Sequence, residues 1–166
     1  MDADDNDATV QDGSLKRRRR PEPTPLQRAL GLLTRREHSR QELARKLMYR
    51  GVESAEAEAV VERLKDAGWQ NDERFAESLV RNRAGSGYGP AYIRAELKTH
   101  GLSSGQIDAA MEAFDGDWRA TVHALLTRRY PQALNGHMET QRKAMDFLLR
   151  RGFSLELVRD VLRSSD

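Results

Sequence analysis

Leu47-Met48-Tyr49-Arg50-Gly51-Val52, Leu97-Lys98-Thr99-His100-Gly101-Leu102 and Leu148-Leu149-Arg150-Arg151-Gly152-Phe153 stand 50 and then 51 residues apart. Each reads as a leucine, three residues, a glycine and an apolar residue. Four residues before the leucine lie Leu43, Ile93 and Ala144. Five after the closing apolar residue lie Ala57, Ile107 and Val158; eight after lie Val60, Ala110 and Val161; nine after lie Val61, Met111 and Leu162. Self-similarity at a fixed period marks tandem copies of one supersecondary unit.

The unit is helical. Leu26, Ala29, Leu30 and Leu33 follow the i, i+3, i+4, i+7 spacing of one helix face. Ser39 and Glu42 have the spacing of a capping box at the head of a second helix, with Leu43, Leu47 and Met48 as its apolar face. Gly51 stops that helix, because glycine enters the left-handed region cheaply. A third helix is expected from Ser54 to Ala67, a fourth after Asn71, and a fifth from Pro90, which suits a first helical turn. Each unit opens with an amphipathic helix ending in basic residues: Leu26–Arg36, Asp72–Arg83 and Asp117–Arg129. No stretch sustains period-2 alternation. The expected fold is therefore all-α: an elongated, curved array of three tandem three-helix repeats, about nine helices and no sheet. The boundaries read as 26–70, 71–116 and 117–166. Units this short bury little alone, so stacking on a neighbour is the expected stabiliser. Gly85–Gly89 and Pro131–His137 read as flexible joints.

Residues 1–25 read as a charged, disordered tail. Five aspartates precede the run Lys16–Arg20, and Pro21, Pro23 and Pro25 follow. Such a segment buries too little apolar surface to offset its ordering entropy. The basic run could dock on phosphates in a salt-sensitive, accessory way.

Composition excludes several classes. Among 166 residues there is no cysteine, so disulfide scaffolds, zinc ribbons, iron–sulfur sites and thiol nucleophiles drop out. No apolar run approaches a membrane span, and the acidic start lacks the apolar core of a signal peptide, so a cytoplasmic protein is expected. Net charge is only +2. Divided by segment, residues 26–51, 52–73, 74–101, 102–117, 118–152 and 153–166 carry +5, −5, +3, −4, +5 and −1. The first two helices of each unit are basic and the third is acidic. Solvation of helix faces and the helix dipole explain single residues such as Arg83 or Arg129. A threefold recurrence points instead to a basic ridge that steers and orients a partner. The candidate residues are Arg35, Arg36, Lys46 and Arg50; Arg81, Arg83, Arg94 and Lys98; and Arg128, Arg129, Arg150 and Arg151. Tyr49, Tyr88 and Tyr92 border the basic segments as candidate aromatic contacts.

Catalytic patterns are missing. His38, His100, His123 and His137 have no metal-ligand spacing and read as surface residues near helix ends. The Gly85–Gly89 loop follows a helix and lacks the Lys-Ser/Thr of a phosphate loop. Glu53, Glu56 and Glu58 suit the first turn of a helix, where carboxylates are favoured. Trp69 and Trp118 read as packing at the joins between units. No enzyme, metal or cofactor is expected.

Three stretches carry a family likeness: S-R-x-E-L at Ser39–Leu43, D-x-R-F-A at Asp72–Ala76, and G-x-G-P-x-x-I-x-x-E-L-x-x-x-G at Gly87–Gly101. They resemble the RecX family of bacterial RecA regulators. The likeness covers about Leu26–Asp166, is strongest over Ala29–Leu102, and leaves out the tail. It implies a non-enzymatic helical repeat that lies in the groove of the RecA–DNA nucleoprotein filament across neighbouring protomers. It also implies modulation, usually inhibition, of ATP hydrolysis and strand exchange by RecA, tempering recombination and the SOS response; a monomer is expected. No family motif assigns the ridge residues individually. Two other readings stay open: weak, sequence-independent DNA binding without RecA, and a helical adaptor for an unrelated protein.

Overall fold

The structure is a computed structural model that describes residues 21–164, so the aspartate-rich and basic runs of the expected tail lie outside the described residues. Among the described residues there are ten helices and no strand. The first unit holds α1 (Pro25–Leu33), α2 (Arg40–Tyr49) and α3 (Ser54–Asp66). The second holds α4 (Asp72–Gly85), α5 (Pro90–Thr99) and α6 (Ser104–Glu112). The third holds α7 (Trp118–Arg129), α8 (Pro131–Leu134), α9 (Met138–Arg150) and α10 (Leu155–Arg163).

The recurring hexapeptide is a helix terminator. Gly51, Gly101 and Gly152 have φ of +86°, +77° and +90°. In the first unit the Gly51 amide donates to Met48 O at 2.9 Å and the Val52 amide to Leu47 O at 3.2 Å. Gly152 and Phe153 do the same toward Leu149 and Leu148, at 3.0 and 3.1 Å. This pairing satisfies the last carbonyls of the helix and turns the chain back, so that the closing apolar residue packs beside the leucine. The helix N-termini are set in the same local way. Thr24, Asn71 and Asp117 cap the opening helices of the three units through their side-chain oxygens.

Each unit has its own core. Leu43, Leu47, Ala57 and Val61 are buried in the first, Ile93, Leu97, Leu102 and Ile107 in the second, and Leu148, Phe153, Val158 and Leu162 in the third. The recurring apolar positions are thus the intra-unit core, and stacking is not the main stabiliser expected from the sequence. The joins are narrow and chemically distinct. Between the first and second units they are polar: the Arg40 amide donates to Asp72 Oδ1 at 2.8 Å, and Gln70 Nε2 donates to the same oxygen at 2.9 Å. Arg74 Nε adds a bond to Glu37 Oε1 at 2.9 Å.

Between the second and third units the join is backbone and aromatic. The Gly89 amide donates to Arg151 O at 2.7 Å, and the Ala91 amide to Gly152 O at 3.1 Å. The Arg151 guanidinium donates to Ser86 O at 3.1 Å and lies 4.4 Å from the Tyr88 ring. Gly87 and Gly89 are buried. The Gly85–Gly89 loop is therefore a docking seat for the third unit and not a flexible joint. Pro131–His137 also differs from the expected joint. Pro131 starts the short helix α8, whose Ala133 is fully buried in the third core. At the chain start, Thr24 and Pro25 belong to the first helix and not to the tail.

The described hydrogen bonds and ring contacts thus link the units in series, first to second and second to third, as an all-α tandem array. Trp118 packs at the second join, 4.7 Å from Phe114 and 6.4 Å from Phe153. Trp69 does not pack as expected: it follows a left-handed glycine, Gly68, and is 58% exposed.

Candidate partner-facing surface

The candidate basic residues divide by what they touch. Arg36 donates to both oxygens of Glu42, at 2.5 and 3.1 Å, and Lys46 Nζ lies 3.1 Å from the same carboxylate. Arg83 donates through Nε and Nη2 to the two oxygens of Glu96, both at 2.7 Å, and these bonds raise its pKa further. Arg94 meets Asp108 at 2.5 Å, and Arg81 lies 3.7 Å from Glu77. Arg129 and Arg151 stand 4.8 and 5.0 Å from the Phe147 ring centroid. Seven of the twelve are thus engaged within the molecule, and Arg151 is part of the second join.

Arg35, Arg50, Lys98, Arg128 and Arg150 are different. All five are exposed and form no ion pair among the described residues. Every unit contributes at least one of them from its first two helices or their ends. Tyr49 stands beside Arg50 and is 92% exposed. Tyr88 and Tyr92 stack on each other with ring centroids 4.3 Å apart, and Tyr88 also receives Arg151. Tyr88 is therefore half-buried at a join instead of standing free beside the ridge.

Arg35, Lys46, Tyr49 and Arg50 come together around one groove between α1 and α2, joined there by Arg28 and Arg45. Those two arginines are not among the candidates read from the sequence. The i, i+7 spacing of Arg28 and Arg35 was the available signal.

The expected capping box at Ser39 forms only by half. Ser39 Oγ accepts the Glu42 amide at 3.1 Å, but the Glu42 side chain turns to Arg36 and Lys46. Ser39 Oγ also lies 2.9 Å from His100 Nδ1, so the cap residue reaches into the second unit. His38 is not a surface residue: it is 2% exposed, with Nδ1 donating to Arg36 O at 3.0 Å and Nε2 accepting from Lys46 at 3.2 Å. That pattern uses the neutral ring, and burial lowers the pKa of both His38 and His100. Burial alone would raise Glu42, but hydrogen bonds from Arg36 and Lys46 outweigh it and hold the carboxyl at about 2. A depressed carboxyl binds fewer protons when folded, so its contribution is complete above the ordinary value of 4.5 and is lost as pH falls toward 2. Glu42→Gln is expected to cost about 2 kcal/mol at pH 7, the scale of a charge-assisted hydrogen bond. In denaturant titrations the gap between variant and parent should shrink as pH falls below 4.5 and close near pH 2; an equal gap at pH 7 and pH 3 would show that the carboxylate charge is not what stabilises.

Among the described residues no three His, Asp or Glu side chains are grouped to hold a metal ion. Nor is any helix there long and apolar enough to cross a membrane.

Comparison with known proteins agrees with this architecture unit by unit. Residues 26–64 match the model of the first three-helix domain of RecX, residues 71–111 the second and residues 117–162 the third. The chain is 55% identical over 154 residues to the regulatory protein RecX of Xanthomonas axonopodis pv. citri (strain 306), covering 92% of this chain and 95% of that one. It is 55% identical over 148 residues to the regulatory protein RecX of Stenotrophomonas maltophilia (strain K279a), covering 89% and 91%. The crystal structure of RecX from Lactobacillus salivarius superposes with a TM-score of 0.71 at 22% identity, over 86% of this chain and 94% of that one, a likeness of fold. The three-unit array, its match to all three domain models and the identity over most of its length place this chain in the RecX family of regulatory proteins.

Proposed function

We propose that this chain is a non-enzymatic, cytoplasmic, monomeric regulator that binds the RecA–DNA nucleoprotein filament. In this reading it lies along the filament groove across neighbouring protomers and inhibits RecA ATP hydrolysis and strand exchange, and with them recombination and SOS induction. The observation that carries the reading is the set Arg35, Arg50, Lys98, Arg128 and Arg150: exposed cations with no ion pair among the described residues, spread over all three units. Cations left unneutralised along a serial array suit an extended, anionic partner. The acidic helices α3 and α6, with Glu53 capping α3 and Glu56 in its first turn, suit basic protein surface beside it.

The test is RecA ATPase on single-stranded DNA, titrated with the full chain and with residues 21–166, which keep the Thr24 cap of α1. Both are expected to inhibit at stoichiometric amounts, the shorter chain with a smaller salt dependence because it lacks Lys16–Arg20. ATPase unchanged at stoichiometric chain would overturn the reading. Tight, steeply salt-dependent binding to DNA alone would favour the DNA-only alternative.

A further inference from the structure

The groove between α1 and α2 has about 590 Å³ of space and shares no residue with either join. Gly31, Leu32 and Leu47 give it apolar surface, and the exposed Tyr49 adds an aromatic ring. Cations stand on both sides: Arg35 just after α1, and Arg45 and Arg50 on α2 and its C-cap. These three form no ion pair among the described residues, and no acidic residue lines the groove. Like charges crowded beside apolar surface repel one another until an anion joins them.

Gly31 is an independent observation. It lies exposed inside α1, where glycine costs helix stability relative to almost any other residue. Nothing in the fold requires it. Its φ is not left-handed, and a Cβ there would meet nothing within 4 Å. What the missing side chain does is leave room for another backbone to come close to the groove.

These features select the occupant. A single-stranded nucleic acid would use the arginines and stack on Tyr49, but it gives Gly31 and Leu32 no role. An acidic amphipathic helix uses them all, with an apolar stripe facing the groove and carboxylates on both flanks for cations on both sides. The nine residues of α1 run about 14 Å, about two and a half turns of such a helix.

We propose that the α1–α2 groove binds an acidic amphipathic helix of a partner protein. The apolar stripe of that helix lies on Gly31, Leu32 and Tyr49, and its carboxylates meet Arg35, Arg45 and Arg50. Arg35 and Arg50, two members of the partner-facing set, then serve protein and not phosphate. The site does not rest on the RecA reading.

The test uses the full chain and no RecA, so its failure is distinct from failure of that reading. A fluorescein-labelled peptide of about 14 residues, with Leu at i, i+3, i+4 and i+7 and Glu on both flanks, is titrated by anisotropy at about 150 mM salt. It should bind saturably, and the same peptide with Ala for Leu at least about tenfold more weakly. Gly31→Gln should raise Tm by about 2–4 °C, because it removes a glycine from inside a helix. It should nonetheless weaken peptide binding at least about tenfold by filling the groove. A residue that served folding alone would not move stability and binding in opposite directions. R45E/R50E should also weaken binding at least about tenfold; should it lose far-UV helicity, Gly31→Gln carries the test. Both variants keep Lys16–Arg20, so a peptide held by that run instead would bind them like the parent. The proposal is overturned by no binding, by equal binding of the Ala peptide, or by binding that Gly31→Gln leaves unchanged. A thymidine oligonucleotide that displaces the peptide and is weakened alike by Gly31→Gln would overturn it too, giving the groove to nucleic acid.

Discussion

Gly89→Ala is expected to unseat the third unit from the second while leaving both units folded. Gly89 has an ordinary φ of −94°, so backbone strain is not the issue. A Cβ there would lie 2.5 Å from Gly152 C and 2.6 Å from both Gly152 O and Phe153 N. Those are backbone atoms of a helix terminator, which cannot rotate aside. The join must open, and the Gly89–Arg151 and Ala91–Gly152 bonds go with it, as does the seat of Arg151 on Tyr88. Overpacking of about 1–3 kcal/mol, two hydrogen bonds at about 1 kcal/mol each and a cation–π contact of about 1 kcal/mol suggest a coupling loss of about 4–6 kcal/mol. Each unit has its own core, so far-UV circular dichroism should be unchanged at 20 °C. A separate, lower-melting transition should appear, and the Gly89 and Ala91 amides should exchange faster with solvent. A single transition at the parental Tm would mean that the join is softer than the close approach implies.

The second large effect concerns charge. R50E/K98E/R150E reverses one exposed, unpaired cation in each unit and should weaken binding to a RecA–DNA filament by about 100-fold or more. Surface sites without partners seldom change stability by more than about 0.5 kcal/mol each, so Tm should move little. R63E/K65E/R159E, on the third helices α3 and α10, makes the same change in net charge and should cost only a few-fold. Arg83→Glu should behave otherwise: it places a carboxylate against Glu96, half-buried, and should lower Tm. Equal losses of affinity in the two triple variants would mean that net charge, not a ridge, governs binding.

The array was legible in the sequence because its signal is local and threefold. Leu47, Leu97 and Leu148 recur with a glycine four residues on, and that spacing is itself the hydrogen-bonding geometry of a helix end. What joins the units was not legible. A glycine shows that a Cβ is unwelcome, but not whether the reason is freedom or crowding, so Gly85–Gly89 read as a hinge although Gly87 and Gly89 are buried. The charge sorting by segment does not hold helix by helix, since α4 and α10 each carry as many acidic as basic residues, and which cations are spent did not show. Arg36, Arg83 and Arg94 find partners 6, 13 and 14 residues away, beyond the reach of a single helix face. The motif residues Ser39, Arg40, Asp72 and Arg74 build the first join. His38 and Trp69 exchanged roles for a related reason. A local pattern cannot tell that His38 lies under Gln70, or that the left-handed turn at Gly68 throws Trp69 outward.

The account turns on a composite partner, protein and nucleic acid together. The most direct measurement is equilibrium binding of the labelled chain to single-stranded DNA coated with RecA, against the same DNA bare, at about 150 mM salt where exposed charges are screened beyond about 8 Å. The account predicts binding to the coated strand at least about tenfold tighter than to the bare one, the gain a second, protein surface adds to phosphate contacts. Equal affinity for the two, or none for the coated strand, would contradict it.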